Sequence, residues 1–512
     1  MWNDNYIDIL RQRREKVLEA GGQKRKDKQH EAGKMTARER LLCLFDAGTF
    51  QEVNDMVSTT ARDFGMESKA YLGDGVITGY GKINGRLAFA SSQDFTVIGG
   101  ALGEAHAAKI CHIMDIALEM KAPFINLNDS GGARIEEGIC SLNGYAGIFR
   151  RNTKASGVIP QIAVILGPCA GGACYSPAIC DFIFMTKESS KMFITGPNVV
   201  KQVTGETVSF DDLGGAGMHS QVSGVSHFVY DNDQACLEGV RHLLEYLPQS
   251  CEDKSVPMTQ YYPPHAIDFT ELVPDNQRMT YNMLAVVEAV LDEGSMLEIQ
   301  SDFAKNIIIA FGRMEGQVVG IVANQPSFMG GCLDVNASDK AARFVRFCDC
   351  FGIPLLVFVD VPGFLPGVNQ ERSGIIRHGA KLLYAFSEAT VPKVSVILRK
   401  AFGGAYIAMN SIGTGADMVY AWPIAQVAVL GAESAVDIIY RREIGAAEQP
   451  EQKRQQLIDE YNEKLMTPYI AAQRGYVNEV IMPEETRMRL LQALDMLKNK
   501  RVAGNRHGNI PL

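Results

Sequence analysis

The chain repeats itself, and that repeat constrains its fold more than any other feature. YGKINGRLAFASSQ (80–93) returns as FGRMEGQVVGIVANQ (311–325). Gly81 matches Gly312, Gly85 matches Gly316, Gly99-Gly100 matches Gly330-Gly331, Lys109 matches Lys340 and Asp129 matches Asp360, all at an offset of 231 residues. After a one-residue slip, Pro160 matches Pro392 and Gly171-Gly172 matches Gly403-Gly404, at offset 232. A register held over about 90 positions marks a tandem duplication. The 512 residues therefore read as two versions of one fold, not as the three domains that ~150 residues each would suggest.

Each copy has the same order of elements. A strand pair opens it, and a helix follows (102–120 in the first copy, with Ala107, Ile110, Ile113, Met114, Ile116 and Ala117 on one face). An apolar strand (PFINLND, then PLLVFVD in the second copy) runs into a glycine turn. A second apolar strand (PQIAVILGPC, then PKVSVILRKAF) runs into another. Apolar strands alternating with helices predict an α/β fold with sheets covered on both faces. The expected boundaries are a basic helical arm over 1–45, an N-terminal domain over 46–255, a Pro-rich linker over 256–276 and a C-terminal domain over 277–512.

Charge sets the arm apart. Residues 1–45 carry 11 Lys/Arg against 7 Asp/Glu, a net of +4 inside a chain of net −9, which leaves −13 on the rest. That balance argues against nucleic acid as a general partner. The run Lys24-Arg25-Lys26-Asp27-Lys28 reads as a solvated face or as a site for ligand phosphates. The N-terminus has no apolar signal region, and the apolar run Ile353–Val359 is far short of a membrane span, so a cytoplasmic protein is expected. Eleven scattered cysteines, none in a CxxC pair, give no zinc-ligand spacing, and no bound metal is expected.

Glycine carries the functional signal: there are 49. In each copy two strands end in glycine turns just before helices, Ser130-Gly131-Gly132-Ala133-Arg134 with Ala170-Gly171-Gly172-Ala173, and Val361-Pro362-Gly363-Phe364 with Phe402-Gly403-Gly404-Ala405. Glycine permits close backbone approach, and a helix start offers unpaired N–H groups and a positive dipole end. Two converging turns make an oxyanion hole; taken singly, each is only a tight turn. The chain has no GxxxxGKS/T loop, no nucleophile elbow, no HExxH and no His–carboxylate pair at catalytic spacing. His219 and His227 read as structural.

At these turns the chain resembles the carboxyltransferase subunits of biotin-dependent enzymes acting on acyl-CoA, of the propionyl-CoA carboxylase beta, methylmalonyl-CoA carboxyltransferase and methylmalonyl-CoA decarboxylase alpha type. The resemblance runs nearly end to end, through GGQKRKDKQHEAGKMTARERL (21–41), NDSGGARIEEG (128–138), GPCAGGACYSP (167–177), DVPGFLPGVNQE (360–371) and LRKAFGGAYIAMN (398–410). It implies a duplicated crotonase-like fold, a ββα superhelix in each half. It implies a homo-hexamer, a dimer of trimers, with sites between the N-terminal half of one subunit and the C-terminal half of another. It implies that the first half takes the acyl-CoA thioester and the second takes biotin. Gly171 and Gly172, with Gly131 and Gly132, would hold the thioester oxygen. Gly404 and Ala405, with Gly363 and Phe364, would hold the ureido oxygen of biotin. Ala133, Arg134, Ala170, Tyr175 and Ile407 would line the substrate sites. Met120-Lys121 lacks the second Met of a biotinylation site, so biotin is expected on a separate carrier subunit. A biotin carboxylase or a membrane decarboxylase subunit is the further partner implied. Three readings follow: a soluble carboxylase or transcarboxylase subunit, the carboxyltransferase subunit of a sodium-pumping decarboxylase, and a non-catalytic scaffold.

Overall fold

The computed structural model describes residues 4–253, 256, 260–500, 502, 504 and 506–511. Residues 1–3 of the expected arm, residues 254–255 of the expected N-terminal domain, residues 257–259 of the expected linker and residues 501, 503, 505 and 512 of the expected C-terminal domain lie outside these. The chain divides into two compact units, Met1–Pro257 with His507–Pro511, and Met258–Arg506.

In the first unit β1 (Gln51–Val53), β2 (Val76–Ile83) and β3 (Arg86–Gln93) pair antiparallel. β4 (Phe124–Ser130), β5 (Gln161–Ala170), β6 (Phe182–Thr186) and β8 (Phe228–Tyr230) continue the sheet in parallel, and β7 (Lys191–Phe193) pairs with the end of β5. The second unit repeats the plan. There β9 (Leu297–Ile299), β10 (Ile307–Met314) and β11 (Gln317–Asn324) are antiparallel. β12 (Leu355–Val361), β13 (Lys393–Phe402), β14 (Met418–Ala421) and β16 (Glu479–Val480) are parallel, with β15 (Gln426–Ala428) on the end of β13. Strands β2, β3 and β4 start 231 residues before β10, β11 and β12, and β5 starts 232 before β13. The one-residue slip therefore falls between β4 and β5, where the first unit has one α-helix, Ile139–Ala155, and the second, between β12 and β13, has Val368–Arg372 followed by Ile375–Glu388.

Central strands β4 and β12 are buried along their whole length, as continuous apolar runs in a covered parallel sheet must be. Helix Glu104–Glu119 buries Ala107, Ile110, Ile113, Met114 and Ala117 against the sheet, with Ile116 only partly covered. Its counterpart Val335–Phe351 is capped by the Asp334 carboxylate, which accepts from Ala337 N at 2.8 Å.

The repeated lysines are internal. Lys109 Nζ donates to the carbonyls of Gly73 and Val76. Lys340 Nζ donates to those of Gln300, Phe303 and Ile307 at 2.7–3.0 Å. Burial lowers Lys109 to about 8 and Lys340 to about 7. Between pH 7 and the ordinary 10.5 the unfolded chain binds the extra proton, so unfolding grows harder as pH rises through that window. Relative to Lys340→Met, the wild-type chain is expected to gain stability from pH 7 to 10 in denaturant titrations. Parallel curves would refute the shift.

The basic arm is integral to the first unit. Helices Asp4–Glu19 and Gln23–Glu31 meet at Gly21-Gly22, where a Cβ on Gly21 would lie 2.0 Å from the Thr96 carbonyl oxygen. A Thr36–Glu39 capping box starts the third helix, Ala37–Leu44, which buries Arg40, Leu41 and Leu44. The far end of the chain returns to the same unit. Asn509, buried, donates to Asp181 Oδ1 at 2.9 Å and accepts the hydroxyl of Ser156 on its carbonyl.

Candidate functional site

The first unit brings its two turns together. Leu102 N donates to Gly132 O at 2.9 Å and Arg134 N to Leu102 O at 2.9 Å, so the chain past β4 is stitched to the segment ahead of helix Glu104–Glu119. Gly131 N donates to Gly99 O at 3.0 Å. Gly132 has φ +107°, and a Cβ there would lie 3.2 Å from Ala170 O at the end of β5. That residue leads into the helical turn Gly171–Cys174, with φ +62° at Gly171. Gly172 backs onto the Tyr145 ring, 3.2 Å from a would-be Cβ. N–H groups at such a start have no partner within the helix.

The second unit reproduces this. Leu333 N donates to Gly363 O at 3.1 Å and Leu365 N to Leu333 O at 2.7 Å. Gly403, φ +58°, opens helix Gly403–Ala408. The Phe364 ring lies 3.0 Å from a would-be Cβ on Gly379 and 3.9 Å from one on Gly404. Each cradle thus carries one aromatic wall, Tyr145 from a helix in the first unit and Phe364 from the turn in the second.

The offsets pair Gly132 with Gly363, Ala133 with Phe364, Gly172 with Gly404 and Ala173 with Ala405. Ala173 thus stands where Ala405 stands in the second unit, and both side chains are buried.

The other expected residues separate. Ala133 and Ala170 are half-buried within the turns. Tyr175 is 47% exposed, with Phe149 edge-on at 6.0 Å. Ile407, one turn beyond Gly404, is 45% exposed. Arg134 is held inside the fold. Its side chain is fully buried, with NH1 donating to Asp74 Oδ1 at 2.9 Å and to Glu137 Oε1 at 2.7 Å. Those carboxylates neutralise it inside the fold, and its Nε is left without a hydrogen-bond partner.

The acid–base groups near the turns are tied down. Burial opposes charge on Glu137, but hydrogen bonds from Glu104 N, Arg134 and Thr59 outweigh it and hold the carboxyl below its usual range. Glu136 pairs with Lys69 at 3.2 Å. Burial pushes the Tyr145 hydroxyl well above its usual range, so it stays neutral. His219 bonds Met192 O and Ser223, and His227 accepts from Ile183 N. Among the described residues no group of three or more His, Cys, Asp or Glu side chains could hold a metal ion. No helix among them is long and apolar enough to cross a membrane.

A cleft of about 780 Å³ opens beside the first turn, lined by Arg25, Lys28, Lys34, Lys69, Tyr71 and Phe95 and reaching Gly99. Its counterpart in the second unit, about 550 Å³, is lined by Pro326, Gly330 and Lys400, which match Phe95, Gly99 and Pro168 of the first.

Comparison with known proteins agrees with this geometry. The model of the carboxyl transferase domain matches residues 28–510. The propionyl-CoA carboxylase carboxyltransferase subunit of Haloferax mediterranei is 55% identical over 516 aligned positions, covering 100% of both chains. The methylmalonyl-CoA decarboxylase subunit alpha of Veillonella parvula is 53% identical over 510, covering 99% of both. Transcarboxylase 12S, solved as a hexamer assembly with methylmalonyl-coenzyme A and methylmalonic acid bound, superposes with a TM-score of 0.97 at 49% identity, covering 100% of this chain and 99% of that one. With paired glycine turns in both sheets and matches of this extent, the chain belongs to the carboxyl transferase family and has its duplicated, crotonase-like fold.

Proposed function

We propose that the chain moves a carboxyl group between a short-chain acyl-CoA, of the propionyl-CoA/methylmalonyl-CoA class, and biotin carried on a separate subunit. The observation that carries this reading is the paired set of glycine turns, one in each unit, with the basic cleft beside the first. The substrate class follows the relatives, which are named for propionyl-CoA and methylmalonyl-CoA.

In the first unit the N–H groups of Gly172 and Ala173, with Gly132 against Ala170, face the thioester oxygen. That oxygen gains charge as the α-carbon loses or accepts its carboxyl group. A placed donor of this kind is worth about 3–4 kcal/mol in the transition state, and the helix start adds its positive end. Arg25, Lys28 and Lys69 supply cations for the phosphates of coenzyme A.

The second turn suits the ureido oxygen of biotin. A Cβ on Gly363 would meet nothing within 4 Å, and one on Gly404 only Phe364, so the cradle is open to a planar ring. Gly404 and Ala405 would hold that oxygen, and Phe364 would wall the ring. Biotin, when bound, supplies the ureido nitrogen that carries the carboxyl group and acts as base at the α-carbon. The chain supplies orientation and oxyanion donors, which accords with Glu136 and Glu137 being committed to ion pairs.

Assembly into a hexamer is part of the proposal. Ile135 (90% exposed), Ile139 and Leu142 beside the first turn, and Val368 and Ile376 (79%) beside the second, are apolar surface that a partner copy would cover.

The purified chain mixed with free biotin and methylmalonyl-CoA, malonyl-CoA or glutaconyl-CoA should release CO2, fastest with methylmalonyl-CoA. No release from any of the three would overturn the reading. A second reading, the same chemistry within a sodium-pumping decarboxylase, is favoured by the Veillonella relative. It predicts stimulation of the native complex by sodium.

A further inference from the structure

The two units bury a carboxylate at the same point of the fold. Asp129 and Asp360 are the next-to-last residues of β4 and β12, just ahead of the first glycine turn of each unit, and both are fully buried. Strand pairing jumps there. Asn128 faces Ile165 but Ser130 faces Cys169, so Asp129 alone stands opposite Leu166-Gly167-Pro168. Val359 faces Ile397 but Val361 faces Ala401, so Asp360 alone stands opposite Leu398-Arg399-Lys400. Such a bulge interrupts the ladder and re-aims the strand beyond it, and the backbone groups it frees need partners.

In the second unit the bulge supplies its own. Lys400 N donates to Asp360 Oδ1 at 3.1 Å and Arg399 Nε to Oδ2 at 2.9 Å. The same guanidinium donates to the carbonyls of Pro274, Asn276 and Met279 and lies 4.7 Å from the centre of the Tyr281 ring.

In the first unit both of those donors are missing. The counterpart of Lys400 is Pro168, which has no N–H, and the counterpart of Arg399 is Gly167, which has no side chain. The arm replaces them. Lys34 Nζ donates to Asp129 Oδ1 at 2.8 Å, and Arg40 NH1 and Gln29 Nε2 donate to Oδ2 at 2.9 and 3.0 Å. Arg40 also donates to Asp233 and to Leu166 O within the bulge. A Cβ on residue 167 would lie 2.0 Å from Asp129 Oδ1 and 2.6 Å from Lys34 Nζ. Glycine at 167 is therefore what makes room for the arm's ammonium.

The carboxylate is coupled to the turn through backbone contacts. Asp129 O would lie 2.1 Å from a Cβ on Gly100, Gly131 N is bonded to Gly99 O, and Gly132 abuts Ala170 O ahead of Gly171. A shift at Asp129 must carry into both turns.

We propose that Asp129 and Asp360 are positioning residues that aim the glycine turns, and that the first turn is held ready for its thioester only while the arm is seated on Asp129 through Lys34 and Arg40. This rests on the oxyanion reading given above, and the test separates the two. Because Lys34 also lines the basic cleft, weaker binding alone would not distinguish positioning from phosphate contact. Polarisation of the bound carbonyl does.

Propionyl-CoA isotope-labelled at its carbonyl is bound at saturation to the full chain, and its carbonyl stretch is read by infrared difference spectroscopy. In the wild-type chain the stretch should move to lower frequency than in water. In Lys34→Met at least half of that displacement should vanish, with kcat for decarboxylation falling by about 10²-fold and the KM for free biotin unchanged. Lys34→Arg should restore most of both. Lys69→Met, which removes another cation of the cleft, should weaken binding and leave the stretch where it is in the wild type. If Lys34→Met does not fold, Lys34→Gln is measured with the same expectation. A full wild-type displacement in the Lys34 variants overturns the positioning role and leaves the oxyanion reading standing. No displacement in the wild-type chain overturns the oxyanion reading and the positioning role with it.

Discussion

Gly404→Val is expected to cut turnover by about 10²–10³-fold while changing stability by less than about 1 kcal/mol. The backbone at Gly404 has no positive φ, the residue is exposed, and an added Cβ meets only the Phe364 ring at 3.9 Å. The two methyl groups of valine would therefore occupy the open cradle in front of the helix start instead of displacing the core. Gly172→Val should cost as much in turnover and more in stability, because its Cβ already presses on Tyr145 at 3.2 Å. Gly403 and Gly171 are poor probes, since their positive φ would strain any substituent regardless of function. Decarboxylation of methylmalonyl-CoA with free biotin, beside a thermal melt of the same samples, checks this. Near-normal rates in both variants would reduce the glycines to tight turns.

Arg40→Met should destabilise the first unit by about 3–5 kcal/mol, the usual cost of leaving a buried charge without its partner. Arg40 is 0% exposed and holds Asp129 and Asp233 at once, at 2.9 and 2.8 Å. Its removal leaves Asp129 to Lys34 and Gln29, and leaves buried Asp233 without its cation, holding only the Met35 N–H at 3.0 Å. The exposed Arg454–Asp437 pair, at 2.6 Å, makes the contrast: surface pairs are worth about 0–1 kcal/mol, so Arg454→Met should leave the denaturation midpoint almost unchanged. Equal midpoints for the two variants in urea would show that the buried network carries no stability.

Much of this was readable in the chain because the duplication left it in register. Gly81 and Gly312, or Lys109 and Lys340, can be paired by counting, and the strands follow the same count. The turns were readable because glycine is needed where the backbone takes φ +107° at Gly132 or +62° at Gly171. What escaped were partners supplied from a distance. Arg134 sits beside a turn in sequence, and nothing local reveals that Asp74, 60 residues earlier, claims its guanidinium. Gly167 looks like one more strand-end glycine until Lys34 of the arm is seen filling the space beside it. The arm's net positive charge could be read from the chain, but not that its Lys34 and Arg40 supply the cation that β13 carries for itself at Arg399.

That difference in supply also bears on synthesis. In the second unit the buried carboxylate and its cation are 39 residues apart, so the pair can close soon after β13 leaves the ribosome. In the first, Arg40 must wait for Asp233, 193 residues on, and the Asp181–Asn509 contact spans 328. Loop closure over such lengths precedes any reward from the contact. Domains usually mature in the order they are made; here the unit translated first is the one completed last, and it stays unsealed until the ribosome has passed residue 509.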